Sequence, residues 1–413
     1  MRILLSAFAC SPRWGSEPGV GWNWAVELAK DHDVTVLTHA YFRAHFEALP
    51  ASQLPARLHI EYVAVDPPAG RFHEQLLNSQ LYYAWWQWFA YRHARQLLRT
   101  QSFDLVHHLT LGTFRYPIFL GLLGTPLAVG PLGGGERAPS RFYAGLPLRD
   151  RIKERIRDLV IQSFRLDLLS QFGLSKAVAI YCRTPQTLAV LPGYLRRKAR
   201  IANEIGAPAV DQDSPLPPRA AITPDAPMQV LFAGRLLGWK GVRLALLAVD
   251  QARRQRGVPL QFTMIGSGPL SGHLRELARQ LELTDHITFL EQIPQADLLA
   301  RYAQADVFLF PSLHDSGGTV VLEALSRGVP VVCLDLGGPA EFVTPECGTV
   351  VSTQGRSVEQ VVSALAQALA QHAQASPTQR TAWREQAMQR ARTLSWHHQV
   401  QRVYQDITQR VSS

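Results

Sequence analysis

Val307-Phe308-Leu309-Phe310-Pro311-Ser312-Leu313-His314-Asp315-Ser316-Gly317-Gly318-Thr319-Val320-Val321-Leu322-Glu323-Ala324-Leu325 is the stretch from which the architecture follows. The apolar run up to Phe310 reads as a buried strand, the polar residues after Pro311 as a turn, and the pattern from Thr319 as a helix. A strand that turns through glycine into a helix leaves backbone N–H groups and the positive end of a helix dipole free for an anion. Ser316, Gly317, Gly318 and Thr319 supply that turn, with Asp315 before it and Glu323 one helical turn beyond. Two acids beside an anion site are suited to accept hydrogen bonds from hydroxyls attached to the anion. A phosphate flanked by hydroxylated groups describes a nucleotide sugar.

Outward from this stretch, strand and helix patterns alternate in both directions. On the N-terminal side of the second half they run as strand Gln229–Phe232, helix Gly241–Gln255, strand Gln261–Ile265, helix Leu270–Leu281, strand Ile287–Leu290 and helix Ala296–Ala303. Strand Val329–Leu334 follows, then helices Ser357–His372 and Ala382–Val411. The first half repeats the theme. Strand Arg2–Ala9 leads through a glycine turn containing Gly19 into a helix from Trp22 to Lys30, followed by strands at Asp33–Thr38, Leu58–Val65, Phe103–His107, Leu127–Gly130 and Ala177–Tyr181. Between the halves, Gly206 to Pro227 holds six prolines and few large apolar residues, the composition of a linker. The expected fold is α/β, with two doubly wound Rossmann-like domains facing across a cleft at their strand ends. The expected boundaries are 1–206, linker 207–227, 228–390, and a last helix at 391–413 that packs back on the first domain.

Composition agrees with a folded protein of this size: 413 residues, 46% hydrophobic and 18% charged. The net charge of +9 is one-sided, with 24 Lys+Arg against 15 Asp+Glu up to Val210 and 18 against 18 beyond it. A basic first half suits an acidic saccharide, a lipid phosphate or an anionic membrane, as well as simple solvation. The basic amphipathic helix expected at Arg149–Leu169 leaves the same two readings open: lipid head groups on one side, a solvated charged face on the other. The aromatic residues of Leu81–Leu98, Trp85, Trp86 and Trp88 among them, are read as domain core, with a membrane-surface face as the alternative. The four cysteines lack metal spacing, and reduced buried thiols in a cytoplasmic protein are the expectation, with a peripheral place on the inner membrane face left open. The N-terminal apolar run is short and is read as a first strand, not a leader. No stretch approaches the ~18 apolar residues of a membrane span.

Gly234-Arg235-Leu236-Leu237-Gly238-Trp239-Lys240-Gly241 is the second informative turn. Arg235 and Lys240 are set to converge on one diphosphate, a planar fork and a point charge. They supply the charge neutralisation that a metal would otherwise give, so no metal and no cofactor beyond the nucleotide-sugar co-substrate is expected. Asp211-Gln212-Asp213 imitates a metal motif but lies in the linker. Gly266-Ser267-Gly268-Pro269 reads as a structural strand–helix turn. Phosphate-loop, zinc-protease and Cys-x-x-Cys patterns are missing, the first glycine turn lacks the dinucleotide spacing, and nothing points to nucleic acid.

In these motifs the chain resembles the GT-B glycosyltransferases, and glycosyltransferase family 4 in particular. The resemblance rests on Gly234–Gly241, on Ala305-Asp306-Val307 through Pro311-Ser312, on the acid pair, on Gly328-Val329-Pro330-Val331-Val332, and on Gly337-Gly338-Pro339-Ala340-Glu341. It implies that Arg235 and Lys240 hold the donor diphosphate, Glu323 the ribose, and Asp315 a donor-sugar hydroxyl in place of the family's glutamate. It further implies that Gly19 and Gly234 bring backbone to the donor, and that one of His107 and His108 faces the donor sugar. The loop with Gly134, Glu136 and Arg137 would line the acceptor site, and the transfer would retain anomeric configuration. The implied partners are a nucleotide sugar and a saccharide or lipid-linked acceptor. Other nucleotide-sugar chemistry (an epimerase or a phosphorylase) and a non-catalytic sugar-nucleotide binder stay open.

Overall fold

Short apolar runs flanked by glycine and proline become strands buried on both faces, and the helices between them cover those faces. A computed structural model describes residues 1–65, 80–210 and 221–412. Asp211-Gln212-Asp213 therefore lies outside the described residues.

The chain divides into two compact units, residues 1–135, 160–205 and 396–413 in the first and 136–159 and 206–395 in the second. The first holds β1 (Arg2–Ser6), β2 (Asp33–His39), β3 (Leu58–Val63), β4 (Leu105–His108), β5 (Leu127–Leu132), β6 (Ala179–Cys182) and β7 (Ala199–Ile201). All seven are parallel in the order β3-β2-β1-β4-β5-β6-β7. The second unit holds β8 (Met228–Ala233), β9 (Leu260–Ile265), β10 (Ile287–Leu290), β11 (Val307–Phe310), β12 (Val331–Leu334) and β13 (Gly348–Val351), parallel in the order β10-β9-β8-β11-β12-β13. Each sheet is doubly wound, and its order reverses between the first and the fourth strand. Connections leave those two strands in opposite directions, which opens a crevice at their carboxyl ends.

Several boundaries differ from expectation. The edge strands β7 and β13 are additional. Each is short, and each is made by pairing to β6 or β12 rather than by a long apolar run. The first helix starts at Ser16, not Trp22, so Gly19 sits inside its first turns. The single helix expected over Ala382–Val411 is two, Pro377–Thr393 and Trp396–Ser412. The break at Leu394–Ser395 is held by Ala207, whose N–H donates to the Leu394 carbonyl at 2.8 Å. Residues 136–159, expected in the first domain, group with the second unit. Their contacts explain why: the Arg141 guanidinium donates to the Thr353 carbonyl, and His314 bonds Glu154 at 3.0 Å.

Asp306 of the Ala-Asp-Val motif proves to be an anchor. Its carboxylate receives the Gln229 N–H at 2.8 Å and the Arg380 guanidinium at 3.1 Å, tying β8, β11 and the helix Pro377–Thr393 together. All four cysteines are buried and free. Among the described residues, no helix is long and apolar enough to cross a membrane.

Candidate functional site

In the second unit the two informative turns leave the two strands that flank the reversal point. Gly234–Gly241 follows β8, and Pro311–Gly318 follows β11, its hydrogen-bonded neighbour. The turns interlock. The Leu313 N–H donates to the Trp239 carbonyl at 2.8 Å, and Gly241, with φ +69°, lies so close to Pro311 that a Cβ there would fall 1.8 Å from its carbonyl oxygen. This locking aims Lys240 at Asp315, and the ammonium and carboxylate form a short ion pair. The same ammonium rests 4.4 Å from the Trp239 ring centroid and 5.2 Å from that of Phe310. Aromatic faces stabilise a cation that is otherwise mostly withdrawn from water. Arg235 is exposed.

Asp315 is held from behind. Its carbonyl accepts the Gly338 N–H at 2.7 Å, and a Cβ on Gly338 would meet the Ser316 carbonyl at 2.3 Å. The Gly337-Gly338 pair is thus a backbone clamp on the Asp315–Gly317 turn. Gly318, at φ +87°, caps the helix Thr319–Ser326 with no side-chain hydrogen bond; its carbonyl takes the Val321 N–H at 2.8 Å, and the amides of Thr319 and Val320 ahead of it are the ones a helix start leaves for an anion. Glu323 lies one turn in, buried, and accepts from the Tyr302 hydroxyl at 3.3 Å. Burial pushes its carboxyl above the usual carboxylate value, and the bonds from Tyr302 and Gln295 oppose this. Gly266 and Gly268 pack against the backbone of Gly234 and Leu236, a structural use.

Sequence reasoning missed the polar stack on this site. His314 lies parallel to Trp239, with ring centroids 4.8 Å apart and planes at 19°, and bonds Glu154 at 3.0 Å. Glu154 comes from the helix Leu148–Ser163. Burial raises its carboxyl, but the bond and charge of His314 and then Arg157 outweigh that and hold it low. From the expected acceptor loop, Arg137 bonds Asp158 at 2.9 Å and Glu136 is buried. Gly134 belongs to the first unit and adopts φ +93°.

The first unit has its own reversal point, between β1 and β4. There His107 is committed: Nδ1 bonds the Tyr404 hydroxyl at 2.9 Å and Nε2 the Gly130 carbonyl at 2.8 Å. Both nitrogens are engaged and the ring has no exposure, so His107 ties β4 to the last helix. His108 turns to the other face and bonds the Tyr83 hydroxyl at 3.1 Å. Its Nδ1 is buried with no partner among the described residues. Beside it lies a second missed cluster. Arg183 reaches the Pro131 carbonyl at 3.1 Å, Glu17 at 3.6 Å, and Glu204 in a short ion pair. Glu17 accepts the N–H of Leu111, and both Leu111 (φ +52°) and Ser16 (φ +55°) hold left-handed backbone that side-chain-bearing residues avoid. The signal was present in Glu17, one residue from the glycine turn's proline, but an acid near a helix start is common.

The two histidines carry a pH dependence. Burial lowers His107 to about 4 against the pull of the Gly130 carbonyl, and burial with the charge of His107 lowers His108 to about 3. Below the ordinary value of about 6.5 the unfolded chain binds protons that the native unit refuses. Stability is therefore intact above that value and falls as the pH drops toward 4, by about 4 kcal/mol for the pair at pH 5. Urea unfolding of the first unit at pH 7 and pH 5 reads this directly; equal midpoints would mean the rings are not held neutral.

Residues 219–390 match the model of the family described as glycosyl transferases group 1. A D-inositol 3-phosphate glycosyltransferase of Corynebacterium urealyticum is 31% identical over 220 residues, half of this chain and half of that one. The chain spans about half the length, or less, of the curated relatives it matches. Two solved structures share the fold. A lipopolysaccharide outer core galactosyltransferase, WaaB, superposes with a TM-score of 0.61 at 12% identity over 99% of both chains. HepE of Anabaena, in complex with UDP and glucose, superposes with 0.56 at 13% identity over 99% of this chain and 100% of that one.

Proposed function

We propose, for a chain of the GT-B fold whose residues 219–390 match the model of the group 1 glycosyl transferases, a retaining sugar transfer from a nucleotide-sugar donor to a saccharide or lipid-linked acceptor in polysaccharide or glycolipid synthesis. The observation that carries the reading is the interlocked pair of turns at the β8/β11 reversal point, which sets Lys240, the uncapped helix start and Glu323 around one crevice.

In this reading the donor diphosphate lies between the amides at Gly318–Val320 and the cations Lys240 and Arg235. Bond breaking at the anomeric carbon pushes negative charge onto the departing diphosphate, and those donors are already aimed at it. Lys240 has three N–H groups, so it can keep Asp315 while donating to phosphate. Asp315 then positions the lysine and also meets a donor-sugar hydroxyl. Glu323 accepts from ribose hydroxyls. Catalysis is proposed to need no metal, with Arg235 and Lys240 supplying the positive charge, and to take place in the cytoplasm at the inner membrane face. Retention is proposed on the resemblance to glycosyltransferase family 4.

Melting curves with UDP-, GDP- and ADP-sugars test donor binding, because a ligand that binds only the native state raises the melting temperature. The stabilising donor is then incubated with acceptors, with and without EDTA. The expected result is a glycoside of unchanged anomeric configuration in both. No transfer from any stabilising donor would favour the binding-protein reading, and an EDTA-sensitive rate would overturn metal independence.

A further inference from the structure

The helix Leu148–Ser163 is inside out. Leu148, Ile152, Ile156 and Leu159 recur at helical spacing along one face, and they are 68, 50, 55 and 65% exposed. Two of its three acids point the other way: Glu154 is buried on His314, and Asp158 takes Arg137 at 2.9 Å and the Tyr143 hydroxyl at 3.1 Å, while the third, Asp150, is half-buried and lies 3.9 Å from Lys153. Soluble helices bury the apolar stripe and expose the charges, so an outward stripe of this length marks a surface for something apolar. The charges that do face outward are Arg149, Lys153 and Arg155, all exposed, and they flank the stripe on both sides.

We infer that this helix docks the protein on an anionic phospholipid bilayer, with Leu148, Ile152, Ile156 and Leu159 entering the acyl boundary and the three basic residues reaching lipid phosphates. Charge selects this occupant. A second copy of the chain would set the same basic flanks against each other, whereas an anionic leaflet attracts them while the stripe is buried. The assignment rests on the membrane-face reading above and gives it an address. Its consequence for the site is direct. Glu154, on the inner side of the same helix, bonds His314 of the turn that holds Asp315, so the membrane face and the donor turn are two sides of one helix.

Co-sedimentation of the full chain with vesicles of 70% phosphatidylcholine and 30% phosphatidylglycerol, and with pure phosphatidylcholine, tests it. Binding is expected only to the anionic vesicles and is expected to weaken with salt. Ile152→Glu with Leu159→Glu should abolish it without lowering the melting temperature, since both side chains are exposed. Replacing Arg149, Lys153 and Arg155 by glutamine should weaken it about a hundredfold. Leu54→Glu, an exposed leucine elsewhere, should bind normally. Binding that survives the double glutamate variant would overturn the helix assignment and leave the membrane reading standing. No binding by the unaltered chain at low salt would remove both, with the donor assay unaffected. Lipid-free self-association that the double variant abolishes would assign the face to a second copy instead.

Discussion

Lys240→Ala is expected to lower the sugar-transfer rate by about 10²–10³-fold, the cost of removing one preorganised donor from a developing negative charge. The structure makes this residue more than a basic side chain in a glycine turn. Its ammonium is held by the Asp315 carboxylate and lies on the Trp239 and Phe310 rings, so its position is set before any donor arrives. The variant should stay folded but lose about 2 kcal/mol, because the partly buried Asp315 carboxylate is left without its partner. Adding Asp315→Asn to Lys240→Ala should restore part of that stability and none of the activity. Steady-state rates and urea midpoints of the three variants distinguish the two effects. An active Lys240→Ala protein would remove the diphosphate assignment, whereas an inactive one that regains activity with Asp315→Asn would mean that the carboxylate alone was obstructing the site.

Gly241→Ala should be the most damaging single methyl in the second unit. At φ +69° any side chain costs about 1–2 kcal/mol, and here the Cβ would also fall 1.8 Å from the Pro311 carbonyl oxygen. Neither group is the end of a flexible side chain, so one backbone turn must move away from the other. A total loss of about 3–5 kcal/mol is expected, with loss of transfer because Lys240 is the preceding residue. Gly257 provides the comparison: it has φ +63° and nothing within 4 Å of an added Cβ. Gly257→Ala should show the left-handed cost alone. Chemical unfolding of the two variants side by side isolates the close approach, and equal midpoints would mean the turns are not locked together.

The glycine of the Lys-Gly turn thus has a physical reason that the sequence does not display. Its need for positive φ can be read from its place in a turn, but the carbonyl it must admit belongs to Pro311, 70 residues away in the chain. Gly338 has the same character, since the Ser316 carbonyl occupies the space a side chain would take. The histidine pair divides along the same line. Strand alternation predicted opposite faces for His107 and His108. That His107 would be spent on Tyr404 depended on where the last helix landed.

What the sequence by itself determined was the order of elements and the chemistry at their ends. Runs such as Val307–Phe310 bury on both faces and can only be strands, and the polar turns that follow them necessarily emerge at carboxyl ends, where a doubly wound sheet binds ligands. The place of Arg235, Lys240, Asp315 and Glu323 beyond strand ends was legible for that reason. Only the tertiary structure decided what each side chain was aimed at. The helix Leu148–Ser163 is the clearest case. Its periodicity states that one face is apolar and the other charged, but not which face turns inward. With Glu154 drawn to His314 and Asp158 to Arg137 and Tyr143, the charged face is the one satisfied within the protein, and the apolar face is left for the outside. Local pattern fixes the angle between faces, whereas partners distant in the chain choose the direction in which they point.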